Sequence, residues 1–169
     1  MDIKELQLEL ETQSANTSIF LTPGIHENVK LVDIVIKPTS TGTDVLETRF
    51  DKDGKKLTYT EWLDETRTDD VKKKIMMSIL QMLNAIVPRT ILDTMVITDS
   101  LHDFAEKAIL VINGFKSTVN LRLKAVYVKD KVTVPLHTKF PWIENMDIVK
   151  AEDSKIQIYP RDAMVPMVA

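Results

Sequence analysis

The sequence predicts a mostly β protein with a helical insertion, built as a five-stranded barrel with two helices between its third and fourth strands. Three observations carry this expectation. Alternating segments punctuated by turn residues fill the stretch from Gly24 to Trp62, two stretches with helical spacing follow as far as Gly114, and strand alternation returns at Val119. A chain of 169 residues is long enough for one sizeable core and short for two, so a single domain over 1–169 is expected.

Residues 1–22 read in two ways: Leu6, Leu8 and Leu10 alternate as a strand would, while Ile3, Leu6 and Leu10 would share a helix face. An N-terminal arm or added strand is the expectation, and Thr22-Pro23-Gly24 is a turn that launches the first strand of the barrel. In that strand, Val29 to Ile36, the apolar residues keep one parity through Leu31 and the other from Val32. A bulge produces such a change, and it lets one strand bend and serve two sheet faces. Pro38 removes a ladder donor and Thr39-Ser40-Thr41-Gly42 is loop composition, so the strand ends near Lys37.

The second strand puts Leu46, Thr48 and Phe50 on one face and Val45, Glu47 and Arg49 on the other, then meets Asp51-Lys52-Asp53-Gly54. Aspartate and glycine tolerate the positive φ of a tight hairpin. Beyond the turn, Leu57 and Tyr59 continue the apolar face, and Lys56, Thr58, Thr60 and Trp62 point the other way. The hairpin therefore has a core side and a side that is basic, hydroxylated and partly aromatic.

After Trp62 the period changes. Thr68 caps a helix whose first turn carries Asp69 and Asp70 and whose apolar residues, Val71, Ile75, Ile79, Met82 and Ile86, recur at spacings of three and four. Pro88 stops it, and Lys72, Lys73 and Lys74 lie on its outward side as a solvated charge run. Residues 91–98 fit a short strand or an irregular connection. A second helix starts at Asp99 or Ser100, passes through Leu101, Phe104, Ala108 and Ile112, and ends at Gly114, a residue type suited to the position after a helix. Val119, Leu121, Leu123, Ala125 and Tyr127 then share one strand face, with Arg122 and Lys124 opposite and expected to face solvent. Lys129-Asp130-Lys131 turns into Val132, Val134 and Leu136. Lys155 to Tyr159 is a candidate last strand, followed by an apolar tail over 160–169.

Composition narrows the chemistry. The chain has no cysteine, which excludes disulfides, thiolate catalysis and sulfur-based zinc sites, and its net charge of −3 gives no global attraction to nucleic acid. A polyanion site would have to be a local basic surface on an acidic body. No apolar run reaches the roughly 20 residues of a membrane span, and the start does not read as a signal peptide, so a cytosolic, membrane-free protein is expected. His26, His102 and His137 lack the spacing of a zinc helix, and the four glycines form no phosphate-cradling loop. The Asp51–Gly54 turn has its glycine too early for a calcium loop. A non-enzymatic role without cofactor follows.

The order of elements, three meandering strands, a helical segment and two more strands with a bulge in the first, is that of the OB-fold, whose second and third strands and loops bind oligonucleotides or oligosaccharides. Thr22 to Val29, Thr60-Glu61-Trp62 and the late Lys139-Phe140-Pro141-Trp142-Ile143-Glu144 also resemble the layout of small single-stranded DNA-binding proteins of tailed bacteriophages. That resemblance implies an OB-fold that coats single strands during replication or recombination in the host cytoplasm, with single-stranded DNA, replication or recombination proteins and a second copy of the chain as partners. The acidic tail common in such proteins is replaced here by Met164 to Ala169. Single-strand binding needs cations that track phosphates and flat side chains on which bases stack. Arg49, Lys56, Trp62, Arg122, Lys124, Lys139 and Trp142 are the residues expected to supply them. Trp142, beside Phe140 and Pro141, reads as core or interface ahead of stacking, and Tyr59 and Tyr127 share parity with apolar neighbours and read as core. The rival class is a virion structural or assembly protein that uses the barrel as an adhesive module.

Overall fold

The computed structural model describes residues 2–17 and 19–166. It is a mixed α and β protein with an antiparallel sheet whose strands β1 (Gly24–Pro38), β2 (Asp44–Lys52), β3 (Lys55–Trp62), β4 (Leu121–Val128) and β5 (Lys131–Thr133) lie in the order β3-β2-β1-β4-β5; β6 (Ile143–Asn145) also pairs with β4. The helices are α1 (Ile3–Thr17), α2 (Asp69–Ile86), α3 (Arg89–Leu92) and α4 (Leu101–Asn113).

β1 is the strand that joins the two halves of the sheet. Its later part pairs with β2, from Lys30 opposite Asp51 to Pro38 opposite Asp44, and its earlier part pairs with β4, from Gly24 opposite Ala125 to Val29 opposite Leu121. The expected bulge is present as a register shift between Leu31 and Asp33, and Asn28, at φ 58°, marks a second irregularity. The β2–β3 hairpin closes on Asp53 and Gly54, at φ 53° and 83°, with Lys52 opposite Lys55. Two successive positive φ values match the right-handed twist of the flanking strands.

The faces of the hairpin follow the alternation in the sequence. Leu46, Thr48, Phe50, Leu57 and Tyr59 are buried, in one core with Leu31 and Ile34 of β1, Ile75, Ile79 and Met82 of α2, and Phe104, Ala108 and Ile112 of α4. Thr68 caps α2 by accepting from the Val71 N–H at 3.4 Å, and Ser100 caps α4 by accepting from the Asp103 N–H at 3.1 Å. The connection at 91–98 is irregular after the short α3. Gly114 follows α4 at φ −73°, so the chain turns there through right-handed geometry and a short 3-10 turn at Lys116–Thr118.

Three expectations are corrected. Residues 3–17 form a helix rather than an added strand: Asp2 and Glu5 cap its start reciprocally, Glu5 N–H to Asp2 Oδ1 at 2.9 Å and Asp2 N–H to Glu5 Oε2 at 3.3 Å. This satisfies two donors that an edge strand would leave to a partner. Ile19 to Leu21 then runs beside β3, the Lys56 N–H donating to Ile19 O at 2.7 Å and the Leu21 N–H to Lys56 O at 2.9 Å. Residues 155–159 form no strand, because the backbone there is held by side chains: Glu144 accepts from the Lys155 N–H at 2.8 Å, and Asp162 accepts from the Tyr159 N–H at 2.7 Å. The last strand is β6 instead. Finally, Arg122 and Lys124 are buried, at 4% and 2% exposure, because the segment after β6 covers the second face of β4. The last three residues of the apolar tail lie outside the described residues.

The sheet is not closed. β3 and β5 run in the same direction at its two edges, and the Thr133 hydroxyl donates to Thr58 O at 2.7 Å, but no ladder joins them. β5 is three residues long, and the backbone groups of Lys56 are already used by Ile19 and Leu21. The free edge of β3 is thereby covered over part of its length, which removes a template for pairing with another chain.

Candidate nucleic-acid interface

The seven residues expected to contact a strand separate into three groups. Arg49, Lys56 and Trp62 lie together on the outward face of β2 and β3, all exposed, Trp62 to 47%. Cross-strand pairing sets their spacing: Arg49 is opposite Thr58, Asp51 opposite Lys56, and Val45 opposite Trp62. Lys56 and Trp62 are six residue steps apart along the strand, a length of about 20 Å. A single strand laid along this face would meet a cation at one end and an indole at the other.

The charge on the face is mixed. Glu47 lies between two cations, accepting from Arg49 Nε at 2.7 Å and Lys37 Nζ at 3.1 Å. Burial pushes its carboxyl up, but the bonds and charges of Arg49 and Lys37 outweigh burial and hold it below the usual range. Arg49 is thus oriented and partly neutralised, whereas Lys56 has no ion-pair partner among the described residues. A pocket of 280 Å³ opens at the hairpin end of the face, between Arg49, Lys56, Thr58, Val32 and Phe20, with the carboxylates of Asp33 and Asp51 also on its wall. Phe20 is 57% exposed there, a flat apolar ring beside two cations. Sequence reasoning missed it, since Phe20 reaches this face only through the pairing of 19–21 with β3. The one signal was its place just before the Thr22-Pro23-Gly24 turn.

Arg122, Lys124 and Trp142 belong to the interior. Arg122 donates from Nη2 and Nε to Glu27 at 3.0 and 3.3 Å, from Nη1 to Glu144 at 3.1 Å, and from Nη1 to Val149 O at 3.2 Å. Desolvation works against its charge, but the two carboxylates prevail and raise its pKa. Lys124 donates to Asp162 at 2.8 Å and Gln157 O at 2.9 Å, with its ammonium 4.7 Å from the centre of the Tyr159 ring. Both cations pin the C-terminal segment to β4. Trp142 is fully buried, 5.3 Å from Tyr59 between ring centres, and gives no platform for a base.

Lys139 lies on a groove of 610 Å³ between α2 and the C-terminal segment, which Lys124 also lines. Lys74, Met77, Leu136, His137, Phe140 and Arg161 share it. The wall at 137–138 is held from the core side: Gln81 of α2 donates to Thr138 O at 2.8 Å, and His137, at φ 51°, is 3.0 Å from Glu61 Oε2. Glu61 is buried and also accepts from the Tyr59 hydroxyl at 2.6 Å. The hydrogen bond and charge of Glu61 raise the pKa of His137 against burial and the opposing charges of Lys74 and Arg67, while burial and Glu61 push the Tyr59 phenol well up. Glu61 and Trp62 point to opposite faces of β3, Glu61 inward and Trp62 outward, so the groove wall is held from the inner face.

Among the described residues no group of three histidine, cysteine, aspartate or glutamate side chains is arranged to hold a metal ion, and no helix is long and apolar enough to cross a membrane. Comparison with protein-family models, with curated proteins and with solved structures gives no match to this chain. The phage-protein resemblance therefore rests on the residues quoted for it.

Proposed function

We propose that the chain is a non-enzymatic, sequence-tolerant single-stranded DNA-binding protein acting in phage DNA replication or recombination, and that its sheet is a partly open OB-fold barrel. The observation that carries the reading is the exposed indole of Trp62 on the same outward sheet face as the exposed cations Arg49 and Lys56. Every base has a face that can stack on an indole, and every nucleotide has a phosphate that a cation can neutralise, so this pair of chemistries binds without reading sequence. The topology supports the barrel: β1 is shared by the two halves of the sheet through its bulge, and Thr133 meets Thr58 where β5 would close on β3. The loops that correspond to those of an OB-fold are 39–43 and 129–130.

A second reading, a virion structural or assembly protein, is favoured by α1, where Ile3, Leu6 and Leu10 are 73%, 49% and 64% exposed. An apolar helix face left in solvent suits an assembly contact, including one with a second copy.

Electrophoretic shifts with single-stranded and duplex oligonucleotides of equal length, at two salt concentrations, test the proposal. Single strands should bind more tightly, because duplex hides the base faces, and affinity should fall as salt rises through counterion release. Equal affinity for the two forms, or no shift at low salt, rules the proposal out in favour of the assembly role.

A further inference from the structure

The groove between α2 and the C-terminal segment concentrates positive charge on a chain whose net charge is −3. Lys74, Lys124, Lys139 and Arg161 line it; Lys124 is paired with Asp162, and none of the other three has an ion-pair partner among the described residues. The lining carboxylate, Asp162, is already satisfied by Lys124 at 2.8 Å and the Tyr159 N–H at 2.7 Å. Arg161 sits against two rings: its Cζ lies 4.0 Å from the Phe140 ring centre and 5.1 Å from that of Tyr159, and the two rings are 5.0 Å apart. A guanidinium held by ring faces keeps N–H donors for an acceptor. Lys139 Nζ stands 5.8 Å from the same Phe140 ring. A volume of 610 Å³ lies within the roughly 300–1,000 Å³ of sites that take small organic ligands.

The geometry points to a phosphate site: the groove takes the phosphate group of a nucleotide, with Arg161 and Lys139 as direct donors and Lys74 facing them from α2. Three uncompensated cations around one apolar-floored groove require more negative charge and more acceptor oxygens than one carboxylate offers, and a phosphate supplies both. Met77 and Leu136 give the adjoining apolar surface against which a sugar or base can lie. The inference rests on the single-strand reading for the source of the phosphate, which is then the backbone of the strand. A free mononucleotide is the other source of the same chemistry.

The test uses the full chain and three probes, inorganic phosphate, thymidine 5′-monophosphate and oligothymidine, with amide NMR shifts and the salt dependence of affinity as readouts. Backbone resonances of 136–140 and 161 should move with thymidine 5′-monophosphate more than with inorganic phosphate. For oligothymidine, the slope of log affinity against log salt should shrink by about 1.4 in Lys139→Ala with Arg161→Ala, two contacts at about 0.7 each for single strands. Lys74→Ala leaves the Phe140 stack intact and should shrink it by up to about 0.7, which covers the case where loss of Arg161 disturbs the fold. Oligothymidine binding with an unaltered slope in these variants overturns the groove and leaves the single-strand reading standing, as does an equal loss in Lys150→Ala, outside the groove. Shifts with the mononucleotide but no oligothymidine binding support the groove and sink the single-strand reading. Response to none of the probes overturns both.

Discussion

Arg122 and Lys124 alternate with Leu121, Leu123 and Ala125 as residues of a half-solvated strand do, yet all five are buried. Alternation reports that two faces differ, and a second face covered by paired charges differs from an apolar one as much as a wet face does. The carboxylates that pair with them, Glu27, Glu144 and Asp162, come from distant parts of the chain, so nothing in the local spacing signals the pairing. Removing Arg122 leaves Glu144 without its cation in a buried position, and Arg122→Ala should cost about 3–5 kcal/mol in urea unfolding. Arg122→Glu with Lys124→Glu should not fold, and a folded double variant would contradict the burial. His137 gives a pH dependence. Its folded pKa is raised by Glu61, so the stability it contributes is fully present below its unfolded value of 6.5 and is lost as pH rises through the raised one. The melting temperature of the wild type relative to His137→Asn should therefore fall on raising pH above 6.5, and a constant difference would contradict the pairing.

At the scale of elements, those set by local chemistry were legible: the bulge of β1, the hairpin and its faces, and the two long helices with Thr68 and Ser100 at their starts. The hairpin depends most on one residue. Gly54 sits at φ 83°, and a β-branched residue there meets the steric cost of the left-handed region, so Gly54→Val should lower stability by about 1–2 kcal/mol, read as a lower urea midpoint with the same slope. An unchanged midpoint would mean that the turn has another geometry. Elements that depend on distant partners were not legible. α1 has leucines that fit both periods, and the Asp2–Glu5 cap, visible as a spacing of three, was the clue in favour of a helix. β6 is only three residues long, too short for alternation to register, and it pairs with β4 rather than with its sequence neighbours. The Lys155–Tyr159 stretch has the composition of a strand, but Glu144 and Asp162 take backbone donors that a ladder would need.

For the molecule as a whole, the order of elements along the chain was legible and the closure of the sheet was not, since closure turns on the length of β5 and on 19–21 occupying Lys56. The expectation of a local basic surface on an acidic body has its clearest counterpart in the Lys74, Lys139 and Arg161 groove; the β2–β3 face is mixed in charge and distinguished by its exposed rings. Of the anticipated contacts, Arg49, Lys56, Trp62 and Lys139 reach the surface, while Arg122, Lys124 and Trp142 hold the interior together. This division makes one optical experiment decisive. Trp142 is fully buried and Trp62 is 47% exposed, so the red side of the emission spectrum belongs to Trp62 and can be followed without replacing Trp142. Titration with oligothymidine should quench that red component and spare the blue one, and Trp62→Ala should weaken binding by about 5- to 150-fold, the factor corresponding to a stacked base. A Trp62→Ala protein that melts as the wild type does and binds oligothymidine with undiminished affinity would contradict the role of the β2–β3 face.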